Sequence, residues 1–202
     1  ISAVSVCVVA ISYSTLGKDN GYLATFSNKC GKASSYCIAA PGDRIYSLTD
    51  SGSYTFANGT SMAAPFVSGG LAVVMQEFSS LTPAQVVSRL LTTANDSGEY
   101  SQTSIYGHGL MNLNAATTAI ANLQTINGSN LLDDPSTSYN DLVNNSFTSS
   151  AAFSNALNNA LAGRTMEVYD SFDRANFDVA VNSFFTSGSY TSQNTIENQW
   201  RC

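Results

Sequence analysis

The sequence predicts an α/β fold, and three observations carry that prediction. Ile1-Ser2-Ala3-Val4-Ser5-Val6-Cys7-Val8-Val9-Ala10-Ile11 is almost wholly apolar and rich in β-branched residues. Asn58-Gly59 forms a turn that runs straight into a stretch of small and apolar residues reaching about Phe78. Leu81-Thr82-Pro83-Ala84-Gln85 then opens a second stretch whose apolar residues recur at helical spacing.

Taken in order, the first segment reads as a strand buried on both faces, the pattern of a parallel sheet, because its apolar residues do not alternate with polar ones. Cys7 within it reads as a buried thiol. Gly59 supplies backbone angles closed to other residues and lets the chain pass near a ligand. The helix that starts at Ser61 and continues through Leu71, Val73, Val74 and Met75 is expected to be mostly buried, since Ala63, Ala64, Gly69, Gly70 and Ala72 permit close packing on a sheet. Thr82 is a capping residue, Pro83 occupies the first helical position and Gln85 stands three after the cap. Val86, Val87, Leu90 and Leu91 give this helix one apolar face.

From about Leu123 the character changes, and residues 123–202 read as a linker or connector of helix and strand character. Asn127-Gly128-Ser129-Asn130 and Asp133-Asp134-Pro135-Ser136 are loop signals. Phe153, Ala156, Leu157, Ala160 and Leu161 mark a helix face stopped by Gly163. Phe177, Val179 and Val181 alternate with Asp178 and Ala180 as in a strand. Asp170, Asp173 and Arg174 read as a solvated turn with local ion pairing rather than a catalytic cluster.

The chemistry centres on Ser61. At the start of a helix the backbone N–H groups have no intrahelical acceptor, and they and the helix dipole favour a developing negative charge. An isolated Gly-Thr-Ser is an ordinary helix cap. Here it sits inside Asn58-Gly59-Thr60-Ser61-Met62-Ala63-Ala64-Pro65-Phe66-Val67-Ser68-Gly69, and that whole run resembles the nucleophile motif of the subtilisin-like serine proteases. Leu23-Ala24-Thr25-Phe26-Ser27-Asn28, Ile38-Ala39-Ala40-Pro41-Gly42 and Tyr106-Gly107-His108-Gly109-Leu110-Met111-Asn112-Leu113-Asn114-Ala115-Ala116 resemble further family segments in the same order, so the likeness covers residues 1–122. It implies a subtilisin-like three-layer fold with a mainly parallel sheet, of which this is the C-terminal portion. It also implies Ser61 as nucleophile, with its own N–H in the oxyanion hole. Asn58, Gly59, Thr60, Met62, Ala63 and Pro65 support the motif, and the substrate is a polypeptide. Phe66 stands where many relatives carry His.

A serine hydroxyl needs a base to take its proton and a third group to orient that base. The chain has one histidine, His108, and it follows the serine between two glycines, where it reads as a surface or turn residue. The resemblance therefore places the aspartate, the base and the oxyanion asparagine in an N-terminal part of the same protease. A first residue inside a strand fits that expectation, and the chain alone is expected to be nearly inert. No cofactor or metal ligand set is identified, although the family resemblance allows calcium. The alternative is an inactive surface passenger or adhesin-like scaffold; a third reading gives residues 123–202 an interaction role of their own.

Composition narrows the setting. Of 202 residues only 11% are charged, and 14 acidic against 8 basic residues give a net charge of −6. With no Lys/Arg cluster, a nucleic-acid footprint is excluded. No apolar run is long enough to span a membrane. Cys30 and Cys37 bracket a short polar loop containing Gly31, and similar pairs occur in subtilisin-like autotransporter proteases. A disulfide between them, and with it a secreted or surface location reached through the outer membrane, is the expectation. A metal site would need ligands that the neighbouring sequence lacks. Met166–Phe177 resembles the connector that follows the protease in such proteins, and the partner of Cys202 stays open.

Overall fold

The computed structural model describes residues 5–13, 21–124, 147–150, 156 and 159–188. They fall into two compact units divided between Ile120 and Ala121.

In the first unit β1 (Cys7–Ser12) carries the short antiparallel β2 (Tyr22–Leu23) on one edge. On the other it pairs in parallel with β3 (Cys37–Pro41), in a register running from Cys7 opposite Cys37 to Ile11 opposite Pro41. Val9, Ala10, Ile11 and Cys37 through Ala40 are consecutive and buried. Both faces of this pair are therefore covered, as its unbroken apolar pattern requires. Cys7 corrects one expectation. It is exposed, because it stands at the entry end of β1 and burial starts only at Val9.

One face of the pair, with Val9, Ile11, Cys37 and Ala39, packs on Cys30, Tyr100 and Tyr106. The two tyrosine rings meet edge-on at 5.3 Å, a favoured aromatic geometry. The Leu23 N–H donates to the Tyr106 hydroxyl. The other face carries α1. Before it come β4 (Ile45–Leu48) and β5 (Tyr54–Ala57), an antiparallel hairpin; β5 leads through Asn58-Gly59 into α1 (Thr60–Glu77). The expectation of a mostly buried helix needs correcting as well. Only the stripe Ala63, Val67, Gly70 and Val74 is buried, because among the described residues β1, β3 and the helices Pro83–Thr92 and Leu113–Ala116 pack against that stripe; Phe66, Val73 and Met75 are 40–48% exposed.

α2 (Pro83–Thr92) opens with the capping box foreseen in the sequence: Thr82 Oγ1 accepts from the Gln85 N–H and Gln85 Oε1 accepts from the Thr82 N–H. Its buried face includes Arg89, which the apolar spacing does not announce. The Arg89 guanidinium lies over the Phe78 ring and donates to the carbonyls of Ala116 (2.7 Å) and Thr118. These carbonyls stand at the C-terminal end of a short helix, where a cation is favoured. Between α2 and that end lie α3 (Thr103–Tyr106) and α4 (Leu113–Ala116), the latter capped by Asn112 Oδ1 on the Ala115 N–H. The segment joining α3 to α4 runs along β3, with His108 N–H on the Cys37 carbonyl, Ala39 N–H on the Gly109 carbonyl and Met111 N–H on the Ala39 carbonyl. Gly107 has φ 64°, and a Cβ there would lie 2.2 Å from the Cys37 oxygen. Both conformation and space therefore require glycine.

In the second unit β6 (Leu123–Gln124) pairs with one edge of β8 (Thr165–Asp170) and β9 (Asn176–Ala180) with the other, all antiparallel. β7 (Phe147–Ser150) and β10 (Phe185–Gly188) form a separate parallel pair. The expected strand is β9, although Val181 already belongs to the following 3-10 turn. Ala156, Ala160 and Leu161 are helical and Gly163 follows at φ 75°; Phe153, Leu157, residues 127–136 and Cys202 lie outside the described residues. The reading of Asp170 and Asp173 as solvated is overturned. Asp170 is fully buried and Asp173 nearly so. The reason is that their carboxylates satisfy turn amides: Asp170 Oδ1 accepts from Ala121 and Phe172 N–H, and Asp173 Oδ1 from Ala175 N–H. Arg174 stacks on the Tyr169 ring instead.

Two outcomes follow from this packing. Gly107→Ala should lower stability by roughly 2–4 kcal/mol in urea unfolding, because it adds both a strained backbone and a backbone clash. Burial pushes the Tyr100 hydroxyl up to about 12. A raised folded-state value favours the neutral phenol, so its contribution is present below the ordinary tyrosine value near 10 and is lost as pH rises through about 12. Denaturation series between about pH 9 and 12 should show a steeper alkaline loss in the native protein than in Tyr100→Phe.

Candidate active site

The site is built where β3 ends. Gly42 follows Pro41, its N–H donates to the Ile11 carbonyl, and its carbonyl accepts from the Gly59 N–H at 2.8 Å. A Cβ on Gly42 would lie 2.5 Å from the Ala10 Cβ, 2.8 Å from the Gly59 oxygen and 3.2 Å from the Ala63 Cβ. Strand, turn and helix thus converge on a position that admits no side chain. Gly59 is glycine for a different reason: nothing crowds it, but it has φ 151° and ψ 160°. That region of backbone space is essentially glycine-only.

Thr60 and Ser61 are the first two residues of α1, and Ser61 is exposed. No side chain caps this helix, and the Gly59 carbonyl takes the N–H groups of Met62 and Ala63. A role for Gly-Thr-Ser as a simple cap is therefore not what the geometry presents: Thr60 and Ser61 lie inside the helix, at positions whose amides have no intrahelical acceptor. Asn58 is engaged elsewhere, its Oδ1 accepting from the Arg44 N–H at 2.7 Å. That bond holds Arg44 in a left-handed conformation, φ 54°, and ties the base of the β4–β5 hairpin to the serine turn. Such a conformation is uncommon for a residue other than glycine. Pro65 lies inside α1 rather than in its first turn, and without an N–H it leaves the Ser61 carbonyl without its usual helical donor. Ala63 is buried against Gly42, while Met62, Pro65 and Phe66 line, together with residues 45–49 and with Thr55 and Ala57 of β5, a groove of about 490 Å³.

His108 is not brought to Ser61. Its N–H binds Cys37 at one end of β3, its Nε2 lies 3.0 Å from the Ser35 carbonyl, and the serine turn sits on Gly42 at the other end. Five residues of extended chain separate these contacts by about 16 Å, far beyond proton transfer. Sequence reasoning passed over Asp43, whose Oδ2 accepts from Ser12 Oγ at the carboxyl ends of β1 and β3. Its position directly after Ala-Pro-Gly was the available signal. Among the described residues no three His, Cys, Asp or Glu side chains are grouped to hold a metal ion. No described helix is long and apolar enough to cross a membrane.

Cys30 and Cys37 are joined by a disulfide, with Cα atoms 5.9 Å apart, within the usual span of such bridges. The bridge closes the loop around the 3-10 turn Gly31–Tyr36 and delivers the chain into β3. Cys7, opposite Cys37 in the strand register, keeps a free thiol.

The chain has recognisable relatives. A model of the subtilase family of peptidases matches residues 2–109, more than half of the chain. The serotype-specific antigen 1 of Mannheimia haemolytica is 39% identical over 114 residues, 52% of this chain and 12% of that protein. An extracellular serine protease of Serratia marcescens is 34% identical over 120 residues, 48% of this chain and 12% of its own length. The chain thus spans about an eighth of these relatives. Among solved structures, fervidolysin from Fervidobacterium pennivorans aligns with a TM-score of 0.47 and 27% identity, over 61% of this chain and 22% of that one.

The arrangement of thiols gives a direct check. Non-reduced peptide mapping after alkylation should recover Cys30 linked to Cys37 and alkylated Cys7; alkylation of all three would exclude the bridge.

Proposed function

The chain belongs to the subtilase family, and from that premise we propose that it is the nucleophile-bearing part of a serine endopeptidase acting through Ser61. The observation that carries the reading is the exposed Ser61 on an uncapped helix start, held in place by the Gly42–Gly59 contact. In the proposed reaction a base removes the Ser61 Oγ proton as the oxygen attacks the scissile carbonyl carbon. The oxyanion that forms is met by the Ser61 N–H and one further donor. Collapse breaks the C–N bond, the base returns the proton to the leaving amine, and water then cleaves the acyl-enzyme.

The base, its aspartate and the oxyanion asparagine are assigned to another part of the parent protease, since the single histidine sits at the far end of β3. The uncovered side of α1 supports this assignment. An 18-residue helix with one charged residue, Glu77, has the composition of a helix buried all round, and a covering segment could bring the base to Ser61. Without that segment the chain is proposed to be inactive; in subtilisin itself, loss of the serine or histidine costs about a million-fold in turnover. A secreted, autotransporter-type setting is proposed as well, supported by the disulfide and by the extracellular relative. The second reading, an inactive surface passenger, draws support from the relative described as an antigen.

A fluorophosphonate probe separates the two. In the parent protease it should label Ser61; Ser61→Ala should abolish labelling, and His108→Ala should leave it within about twofold, because His108 is too distant to be the base. Absence of labelling in the parent would favour the passenger. Strong labelling of the isolated chain would overturn the assignment of the base to another segment.

A further inference from the structure

The β4–β5 hairpin inverts the usual pattern of a surface ribbon. Ile45, Ser47, Thr55 and Ala57 share one face of the ribbon by alternation and line the groove beside α1, whose wall Tyr46 and Leu48 of β4 also join. Tyr46, Leu48, Tyr54 and Phe56 share the opposite face and are 62%, 59%, 64% and 58% exposed. Polar residues are expected on such a face. Here the rings are organised: Tyr46 stacks on Tyr54 at 5.3 Å and contacts Phe56 at 5.0 Å, with the Arg44 guanidinium 5.3 Å from the Phe56 ring centre.

The ridge is also held stiffly. Its base is tied to the serine turn by Asn58 on Arg44 and by Gly59 on Gly42, and Thr49 Oγ1 bridges its loop by bonding to both N–H and carbonyl of Ser53. Pre-set aromatic rings lose little freedom when they bind, which is why they anchor recognition surfaces.

We propose that this face is a substrate-binding ridge that engages an extended, apolar segment of the polypeptide being cut, several residues from the scissile bond. The proposal rests on Ser61 being the nucleophile. Two observations select this occupant. The four side chains present on the order of 450 Å² of apolar surface, about half of the roughly 800 Å² that each partner gives to a stable protein dimer, but enough for a short extended peptide. The ridge is also continuous with the reaction centre: Phe56 is five residues from Ser61, so it lies within about 17 Å, the reach of five extended substrate residues.

The test compares kcat/KM for a short quenched-fluorescent peptide with that for the same peptide extended by four apolar residues, or by four aspartates, using the parent protease. The apolar extension should raise kcat/KM about tenfold and the acidic one should not. In Tyr46→Ser/Phe56→Ser the gain should fall to about one while fluorophosphonate still labels Ser61, which shows the variant folded; Tyr54→Ser should give a partial loss. A gain that survives these substitutions overturns the ridge, and so does a change from dimer to monomer on the same substitutions, which would assign the face to a second copy. If the parent never labels at Ser61, the nucleophile reading falls instead. Binding of the apolar peptide to the Ser61→Ala protein, read by fluorescence anisotropy, then decides whether the ridge stands without it.

Discussion

Three backbone paths meet at Gly42, and much of the first unit depends on how closely they meet. Ala10 from β1, the Gly59 carbonyl from the serine turn and Ala63 from α1 all lie where a side chain on residue 42 would have to go. Each is itself small, so the contact is made by backbone and methyl groups rather than by interdigitated long side chains. The consequence is positional accuracy. A serine mounted on a turn that rests directly on a buried strand inherits the rigidity of the sheet, whereas one held by longer side chains would inherit their rotamer freedom.

The same device recurs on the far edge of β3. Gly107 lets the closing segment lie against the Cys37 carbonyl of the strand, and Gly109 lets it pass the Asn95 carbonyl that follows α2. Arg89 then anchors the end of that segment to α2 by donating to two carbonyls from a fully buried site. A buried guanidinium is tolerable because it has backbone acceptors and an aromatic face to lie on. The site end and the closing end of the unit are thus both secured on β3, beside the central β1.

The serine motif, the buried strand and the capping box of α2 were legible because each is a local pattern whose physics acts within a few residues. What the sequence concealed is tertiary. Nothing near Arg89 signals that it will be buried, since its acceptors come from Ala116 and Thr118. Asp170 and Asp173 sit among polar neighbours and read as solvent-facing, yet their carboxylates are engaged by amides of the β8–β9 turn and, for Asp170, by the distant Ala121 N–H ahead of β6. Cys7 lies in an apolar run, but burial depends on what covers the end of a strand, which composition does not record. The one-sided burial of α1 was hidden for the same reason: its sequence describes a helix with covered sides, and a pattern of residues does not say which chain segment does the covering.

Pro65 leaves the hydrogen-bond ladder of α1 broken one turn after Ser61. The serine turn therefore takes its order from its seat on Gly42 more than from the helix that follows. On warming, local opening at that seat can release Ser61 while the remainder of α1 stays wound, so loss of reactivity and loss of helical signal are separable events with separate free energies.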